Sequence, residues 1–400
     1  MSKRRVLSIA TLYPNAANPR FGTFVARSLE ALAARGDWDV TVVNPIVLPP
    51  VALGRYRALR DAAMDAVEGG VSVHRPIVRS IPRLGARSNP RRIATTVLPL
   101  ARKLHADAPF DLVDAQFFYP DGPVAAAIAA DLGLPLSIKA RGADIHYWGA
   151  RTDTRAQILA AGAQASGLLA VCDALAQDMA VLGLPREKIT IHYTGLDRDR
   201  FRPLQHTLLR RRLSRELGIE IPDRAPVLAT VGALIPRKGQ ALVIDALANL
   251  PDDTVLVLVG RGDEENALRK RVADIGAAGR VHFLGSLDHD MLPLVLSAAD
   301  AMVLPSASEG LANAWIEALA CGTPLVITEA GGAREVVAEP EAGRIVDRTP
   351  AAIAAGVRAL LADPPMREAV AATAERFSWQ ANAAALADHY ARLLGDDPQV

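Results

Sequence analysis

Residues 297–335 read "SAADAMVLPSASEGLANAWIEALACGTPLVITEAGGARE". The run 301–305 is short, apolar and closed by a proline, and 324–328 is a second run rich in Val, Ile and Thr. Both have the composition and length of buried strands. Between them lies a turn-forming Ser-Ala-Ser-Glu-Gly segment, then an apolar stretch of helical length opening at Ala312 or Asn313. Strand, helix and strand in about thirty residues is a parallel βαβ unit. Two carboxylates, Glu309 and Glu317, stand in it among small and apolar neighbours.

The same alternation extends in both directions. Strands are expected at 5–12, 39–43, 111–115, 135–140, 167–172 and 188–193, and a second series at 226–231, 254–259, 280–284, 301–305, 324–328 and 343–347. Helical patterns lie between them, at 22–35, 155–165, 239–250 and 263–275 among others. Two such series in 400 residues predict an α/β protein with two Rossmann-like, doubly wound parallel-sheet domains facing a cleft. The charged, aperiodic "TGLDRDRFRPLQ" at 194–205 is the expected linker. The domains are then 1–195 and 196–376, with 377–400 a closing helix that crosses back to the first domain.

The chain carries 22% charged residues, 50% apolar residues and a net charge of +1. That is globular composition with no global attraction to nucleic acid, which is excluded as a partner. Cys172 and Cys321 have no metal-like spacing and are read as buried apolar groups in a reducing compartment. The basic-then-apolar start "MSKRRVLSIATLYP" lacks a small-residue cleavage site and is read as a first strand. No run of 18 apolar residues occurs, so a cytoplasmic protein is expected.

Ligands of doubly wound sheets bind beyond the carboxyl ends of the strands, and the unusual clusters of this chain fall there. Gly22 follows the first strand. "ARGAD" follows 135–140 and brings Arg141, Asp144 and His146 to one rim. His146 is read either as a general base or electrostatic stabiliser, or as a packed, hydrogen-bonded histidine. "VGALIPRKG" places Gly232, Arg237 and Lys238 beyond 226–231, where adjacent cations can neutralise a diphosphate. Gly260 lies in "GRGDE" after 254–259, and Gly310, Leu311 and Asn313 follow Glu309 into the start of a helix, whose free N–H groups suit an anion. There is neither a Walker A loop nor a G-x-G-x-x-G fingerprint. If 309–317 were all helical, the Cα atoms of the two glutamates would be about 12 Å apart. A glycosidase pair needs carboxyls about 5 Å or about 6.5–9.5 Å apart, so a simple hydrolytic pair is disfavoured.

The D-x-D triplets at 37–39 and 197–199 lie away from the strand ends and are read as turns, not metal ligands. Residues 71–106 hold Arg75, Arg79, Arg83, Arg87, Arg91, Arg92, Arg102 and Lys103 without an acid, broken by Pro76, Pro82 and Pro90. This is read as a basic, apolar loop suited to an anionic membrane or a phosphate-bearing acceptor.

Taken in order, "GALIPRKG", "GRGDEE", "FLGSLDHDML", the quoted 297–326 stretch and "EAGGAREVV" resemble glycosyltransferase family 4, retaining nucleotide-sugar glycosyltransferases of GT-B fold. The resemblance spans nearly the whole chain and is strongest over 226–346. It implies two Rossmann-like domains, the donor held by the second and the acceptor by the first, with no metal or other cofactor. The donor is a UDP- or GDP-linked sugar or a similar nucleotide sugar, and the acceptor a saccharide, lipid-linked or free, in polysaccharide or glycoconjugate synthesis. By position, Glu309 holds hydroxyls of the donor sugar, Glu317 the ribose, and Lys238 the diphosphate, assisted by Gly22 and the amides after Glu309. Two positions depart from the family pattern. Ala233 stands where many members have arginine, so Arg237 supplies that charge; Arg141 stands where many have histidine, so Arg141 or His146 fills that place. With a lipid-linked acceptor, the basic block 71–106 is expected to touch the inner membrane face. Two rivals remain, a sugar-nucleotide 2-epimerase and a non-catalytic nucleotide-sugar-binding protein.

Overall fold

A computed structural model describes residues 3–80 and 89–396. The chain forms two compact units, Met1–Gly195 with Trp379–Val400, and Leu196–Ser378. The first contains strands β1 (Arg4–Ile9), β2 (Trp38–Val43), β3 (Ile46–Leu48), β4 (Ala66–Glu68), β5 (Val71–His74), β6 (Ile77–Arg79), β7 (Leu112–Ala115), β8 (Leu136–Ala140), β9 (Gly167–Ala170) and β10 (Ile189–Ile191). Eight of them form one sheet in the order β10-β9-β8-β7-β1-β2-β5-β4, parallel except for the β4–β5 pair, while β3 and β6 pair apart. The second unit contains β11 (Val227–Val231), β12 (Val255–Val259), β13 (Val281–Gly285), β14 (Ala301–Leu304), β15 (Leu325–Ile327) and β16 (Gly343–Ile345). All six are parallel, in the order β13-β12-β11-β14-β15-β16.

The second sheet is built from continuous apolar runs because both of its faces are covered. "VLATV" and "VLVLV" are buried at every position. Leu228, Leu256, Leu258 and Val303 pack on one side against Val243, Leu268 and Val357 of the helices Gln240–Ala246, Glu265–Asp274 and Pro350–Ala362. In the first unit the helix Thr23–Ala34 and the C-terminal helix Trp379–Leu393 cover one sheet face, with Leu29, Leu32, Leu386 and Tyr390 meeting Val6, Val40 and Leu112.

Strand order reverses around β1 in one unit and between β11 and β14 in the other, creating a crevice at the strands' carboxyl ends. The twelve expected strands are all present within three residues of their expected bounds, the largest difference being β1, which ends at Ile9 and not at residue 12. The basic block 71–106 is not one loop. It comprises β5, β6, and the helix Asn89–Asp107, while Arg83 and Arg87 lie outside the described residues. Pro90 does not break that helix, because at its second position the missing N–H removes no intrahelical bond. Acids from elsewhere in the chain serve the block. Arg75 is buried on Glu68 at 2.7 Å, and Arg102 pairs with Asp131. Among the described residues no helix is long and apolar enough to cross a membrane.

Candidate functional site

Two loops meet at the crevice of the second unit. After β11 the chain runs through Gly232 to a 3₁₀ turn, Pro236–Lys238, whose Lys238 N–H donates to the Ile235 carbonyl at 3.0 Å. After β14 it runs through Pro305 to Glu309 and into the helix Asn313–Ala320. Ala307 N–H donates to the Arg237 carbonyl at 2.7 Å, which ties the loops together. Lys238 Nζ bonds Glu309 Oε1, Arg237 Nη1 lies 3.3 Å from Glu309 Oε2, and the same guanidinium donates to the Ser308 carbonyl. Each oxygen of Glu309 therefore faces a cation, although the side chain is only 8% exposed. This is a pre-formed pair of opposite charges, able to offer acceptors to hydroxyls and cations to phosphate from one place.

Glycine makes this proximity possible. Gly260, at φ 142°, would place a Cβ 1.9 Å from the Gly232 carbonyl oxygen. Gly331, at φ 52°, would place one 2.3 Å from that of Gly310, whose oxygen also accepts from Gly332 N–H at 2.8 Å. Leu311 is buried and Asn313 is exposed at the helix start. Glu317 lies further along that helix, buried, with Oε1 3.3 Å from His289 Nε2.

The structure thus brings Gly232, Arg237, Lys238, Gly260, Glu309, Gly310 and Leu311 to one crevice rim, with Asn313 and Glu317 on the adjoining helix. Two participants gave no signal of their own in the sequence. Arg348, just past β16, donates to the carbonyls of Pro305 (2.9 Å) and Pro236 (3.1 Å), clamping both loops. Its place after a strand end is the clue that could have found it. His289 is the other; it sits in a loop, and only tertiary packing takes it to Glu317.

The first unit's candidates take different side-chain partners, although Arg141 N–H donates to Asp144 Oδ1 at 3.0 Å. Gly22, at φ 71°, caps the helix Thr23–Ala34, and a Cβ there would lie 2.4 Å from the Leu12 carbonyl carbon. Arg141 donates to the Gln116 backbone and side-chain oxygens, both at 2.8 Å, and its guanidinium stacks over Phe24. Burial lowers it to about 10, against the pull of Asp144. Asp144 is fully buried, and its carboxylate accepts the backbone N–H groups of Phe118, Arg141 and Gly142. Burial raises its pKa against those bonds. In this geometry it organises the loop after β8 and is closed to a reacting group. The His146 ring is exposed, with Nε2 2.8 Å from Asp178 Oδ2.

A buried polar network underlies this rim. Asp114 accepts from Ser8 at 2.9 Å and Gln116 at 2.5 Å, and Asp121 accepts from Thr11 at 2.7 Å and is pushed up to about 7 by burial. Among the D-x-D triplets, Asp197 Oδ1 accepts the N–H groups of Asp199 and Arg200, a local turn. Asp39 pairs with Arg5 and Asp37 with Arg35.

Two family profiles match the chain, Glycosyltransferase Family 4 over residues 21–200 and Glycosyl transferases group 1 over residues 217–377. TuaC of Bacillus subtilis, a glycosyltransferase assigned provisionally to teichuronic acid biosynthesis, is 29% identical over 82% of this chain and 82% of its own. A GDP-mannose-dependent alpha-(1-6)-phosphatidylinositol monomannoside mannosyltransferase of Mycolicibacterium smegmatis is 35% identical over 48% of this chain and 54% of its own. Among solved structures, Anabaena Alr3699/HepE in complex with UDP superposes with a TM-score of 0.73 at 21% identity, over 97% of this chain and all of that one. That likeness shows the fold, two Rossmann-like units of GT-B type.

Proposed function

The chain belongs to glycosyltransferase family 4, and on that premise we propose that it is a retaining hexosyltransferase. It moves a sugar from a nucleotide-diphosphate donor to a hydroxyl of a saccharide acceptor. The observation that carries the reading is the buried Glu309 carboxylate held between Lys238 and Arg237 at the switch point of a parallel sheet. In the proposed complex Glu309 accepts hydroxyls of the donor sugar, and the two cations face the diphosphate. Gly232, Gly260 and the Gly310 and Leu311 amides allow close backbone approach, and Glu317 accepts from the ribose.

As the glycosidic C–O bond breaks, its electron pair passes to the diphosphate, whose growing charge Lys238 and Arg237 stabilise in a pre-set geometry. The acceptor oxygen attacks from the face the phosphate leaves, and a phosphate oxygen takes the hydroxyl proton. Since the cations are supplied by side chains, the proposal invokes no metal step. The acceptor side falls to the first unit. There the proposal narrows membrane contact, on the cytoplasmic face, to the solvent-facing Arg79, Arg91 and Arg92, which line one depression with Thr95 and Thr96.

The test is nucleoside diphosphate release from UDP-, GDP- and ADP-sugars without acceptor, by the intact protein and by Glu309→Ala. Slow release from one donor, reduced at least a hundredfold in the variant, is the expected outcome. Equal release by both proteins would overturn the assignment of Glu309. Conversion of the donor to an epimer would replace the reaction with epimerisation.

A further inference from the structure

We propose that His289 is a positioning residue for Glu317, and that through it the second unit distinguishes ribose hydroxyls on a nucleoside diphosphate. The inference rests on the reading of Glu317 given above.

Glu317 is 8% exposed on a short helix, and an unrestrained carboxylate there could turn away from the crevice. His289 Nε2 reaches Glu317 Oε1 at 3.3 Å. On the other side of the ring, Arg200 Nη1 lies 2.9 Å from His289 Nδ1. A guanidinium only donates, so Nδ1 accepts and the proton of the neutral imidazole sits on Nε2, aimed at the carboxylate. Arg200 is itself tied by Asp290, at 3.2 Å from Nε. Phe201, fully buried, meets the imidazole edge-on with ring centroids 5.0 Å apart, which fixes the ring plane. Arg200 and Phe201 come from the connecting stretch 194–205, so a segment with no periodic structure of its own anchors a side chain of the candidate site. His289 occupies one acceptor direction of Oε1 and leaves the rest of the carboxylate to a vicinal diol. The contact is to Glu317 and not to the diphosphate cations, so its effect falls on the ribose and leaves phosphate binding alone.

The experiment is calorimetric titration of UDP, GDP and ADP, each against its 2′,3′-dideoxy form, into the full-length protein, His289→Ala, His289→Gln and Glu317→Ala. The expected result is a loss on the order of tenfold in affinity of His289→Ala for the preferred ribonucleotide, with affinity for the dideoxy form unchanged. His289→Gln, whose amide can donate along the same line, should recover most of the loss. Equal weakening of both forms would mean that the ring only packs against Phe201, and an unchanged ribonucleotide affinity would mean no role at all. Either overturns the proposal. If Glu317→Ala keeps the wild-type preference for ribose, or the wild type binds none of the six compounds, the reading of Glu317 itself fails and the proposal falls with it.

Discussion

At the scale of single residues, the crevice of the second unit depends on atoms that are absent. The β11 and β12 loops touch backbone to backbone because Gly260 has no Cβ, and the nearest atom to one would be a carbonyl oxygen at 1.9 Å. Backbone cannot yield as a flexible side-chain tip can. Gly260→Ala is therefore expected to cost about 3 kcal/mol in urea unfolding and to misplace the 232–239 loop. Gly218 is the control. It also has positive φ, 65°, at the end of the helix His206–Leu217, but nothing lies within 4 Å of its would-be Cβ. Gly218→Ala should cost only about 1 kcal/mol. Equal losses at the two sites would show that φ alone, and not the close approach, makes Gly260 necessary. That Arg237, Lys238 and Glu309 share a rim was legible from their places after strand ends, while the ion pairs among them come only from the fold. The contacts of Arg348 and His289 were not legible: a place after a strand end puts Arg348 at a rim without naming the two carbonyls it binds, and His289 has no such place.

At the scale of elements, buried strands with apolar runs announce themselves, and the twelve legible in the sequence are twelve of the fourteen strands of the two main sheets. The strands the sequence does not announce, β3, β4, β5 and β6, are three or four residues long and none is buried at every position, whereas β7, β9, β14 and β15, equally short, are buried throughout. A short strand shows as a continuous apolar run when both faces are covered, but when it is half exposed it has too few residues for a period of two to stand out. The C-terminal helix shows how an element can be recognisable while its function as a fastener is hidden. Its inner face carries polar groups: Asn382 accepts from Ser28 at 2.6 Å and donates to the Tyr193 carbonyl at 2.6 Å, and His389 Nε2 lies 3.1 Å from Ser137 Oγ. His192, which bonds Lys139 and the Asn382 carbonyl, completes the join. Burial, with Arg392 and Lys139 adding repulsion, pulls His389 down to about 3. The group is neutral when folded and takes a proton near pH 6.5 when unfolded, so its contribution is full above that pH and is lost as pH falls toward 3. At pH 5 the loss is about 2 kcal/mol. Asp121, raised to about 7, acts in the opposite sense, since its neutral folded form stabilises at low pH and that benefit fades as pH rises from about 4 to 7. The variant difference removes this background. Melting of the wild type and His389→Gln at pH 7 and pH 5 should show the gap moving in favour of the variant by about 4–8 °C. A gap independent of pH would mean that His389 titrates normally in the folded protein.

At the scale of the whole molecule, a net charge of +1 gives no long-range attraction to an anionic surface, so any membrane contact must be local. The first unit has the ingredients in one region. Among the described residues, Arg91 and Arg92 make no ion pair, and they stand in the first turn of the helix Asn89–Asp107, which has no acid there. Arg79 donates to the carbonyls of Pro49 and Pro50, beside Val51 and Leu53, which are 68% and 65% exposed. Cations that a helix start would ordinarily disfavour, next to apolar side chains left in water, are better matched by a surface of phosphates over hydrocarbon than by water alone. The full-length protein should co-sediment with vesicles containing phosphatidylglycerol and not with phosphatidylcholine vesicles. Binding should weaken as salt rises from 20 to 200 mM, because the screening length shortens to about 8 Å near physiological ionic strength. Each of Arg91→Glu and Arg92→Glu should lower the partition coefficient at least about fivefold, the share of one cation at such a surface. Val51→Asp should weaken binding without changing its salt dependence, since it removes the apolar contribution alone. Equal sedimentation with neutral and anionic vesicles, or charge reversals without effect, would remove the membrane from the acceptor side and leave these arginines to a phosphate-bearing acceptor in solution.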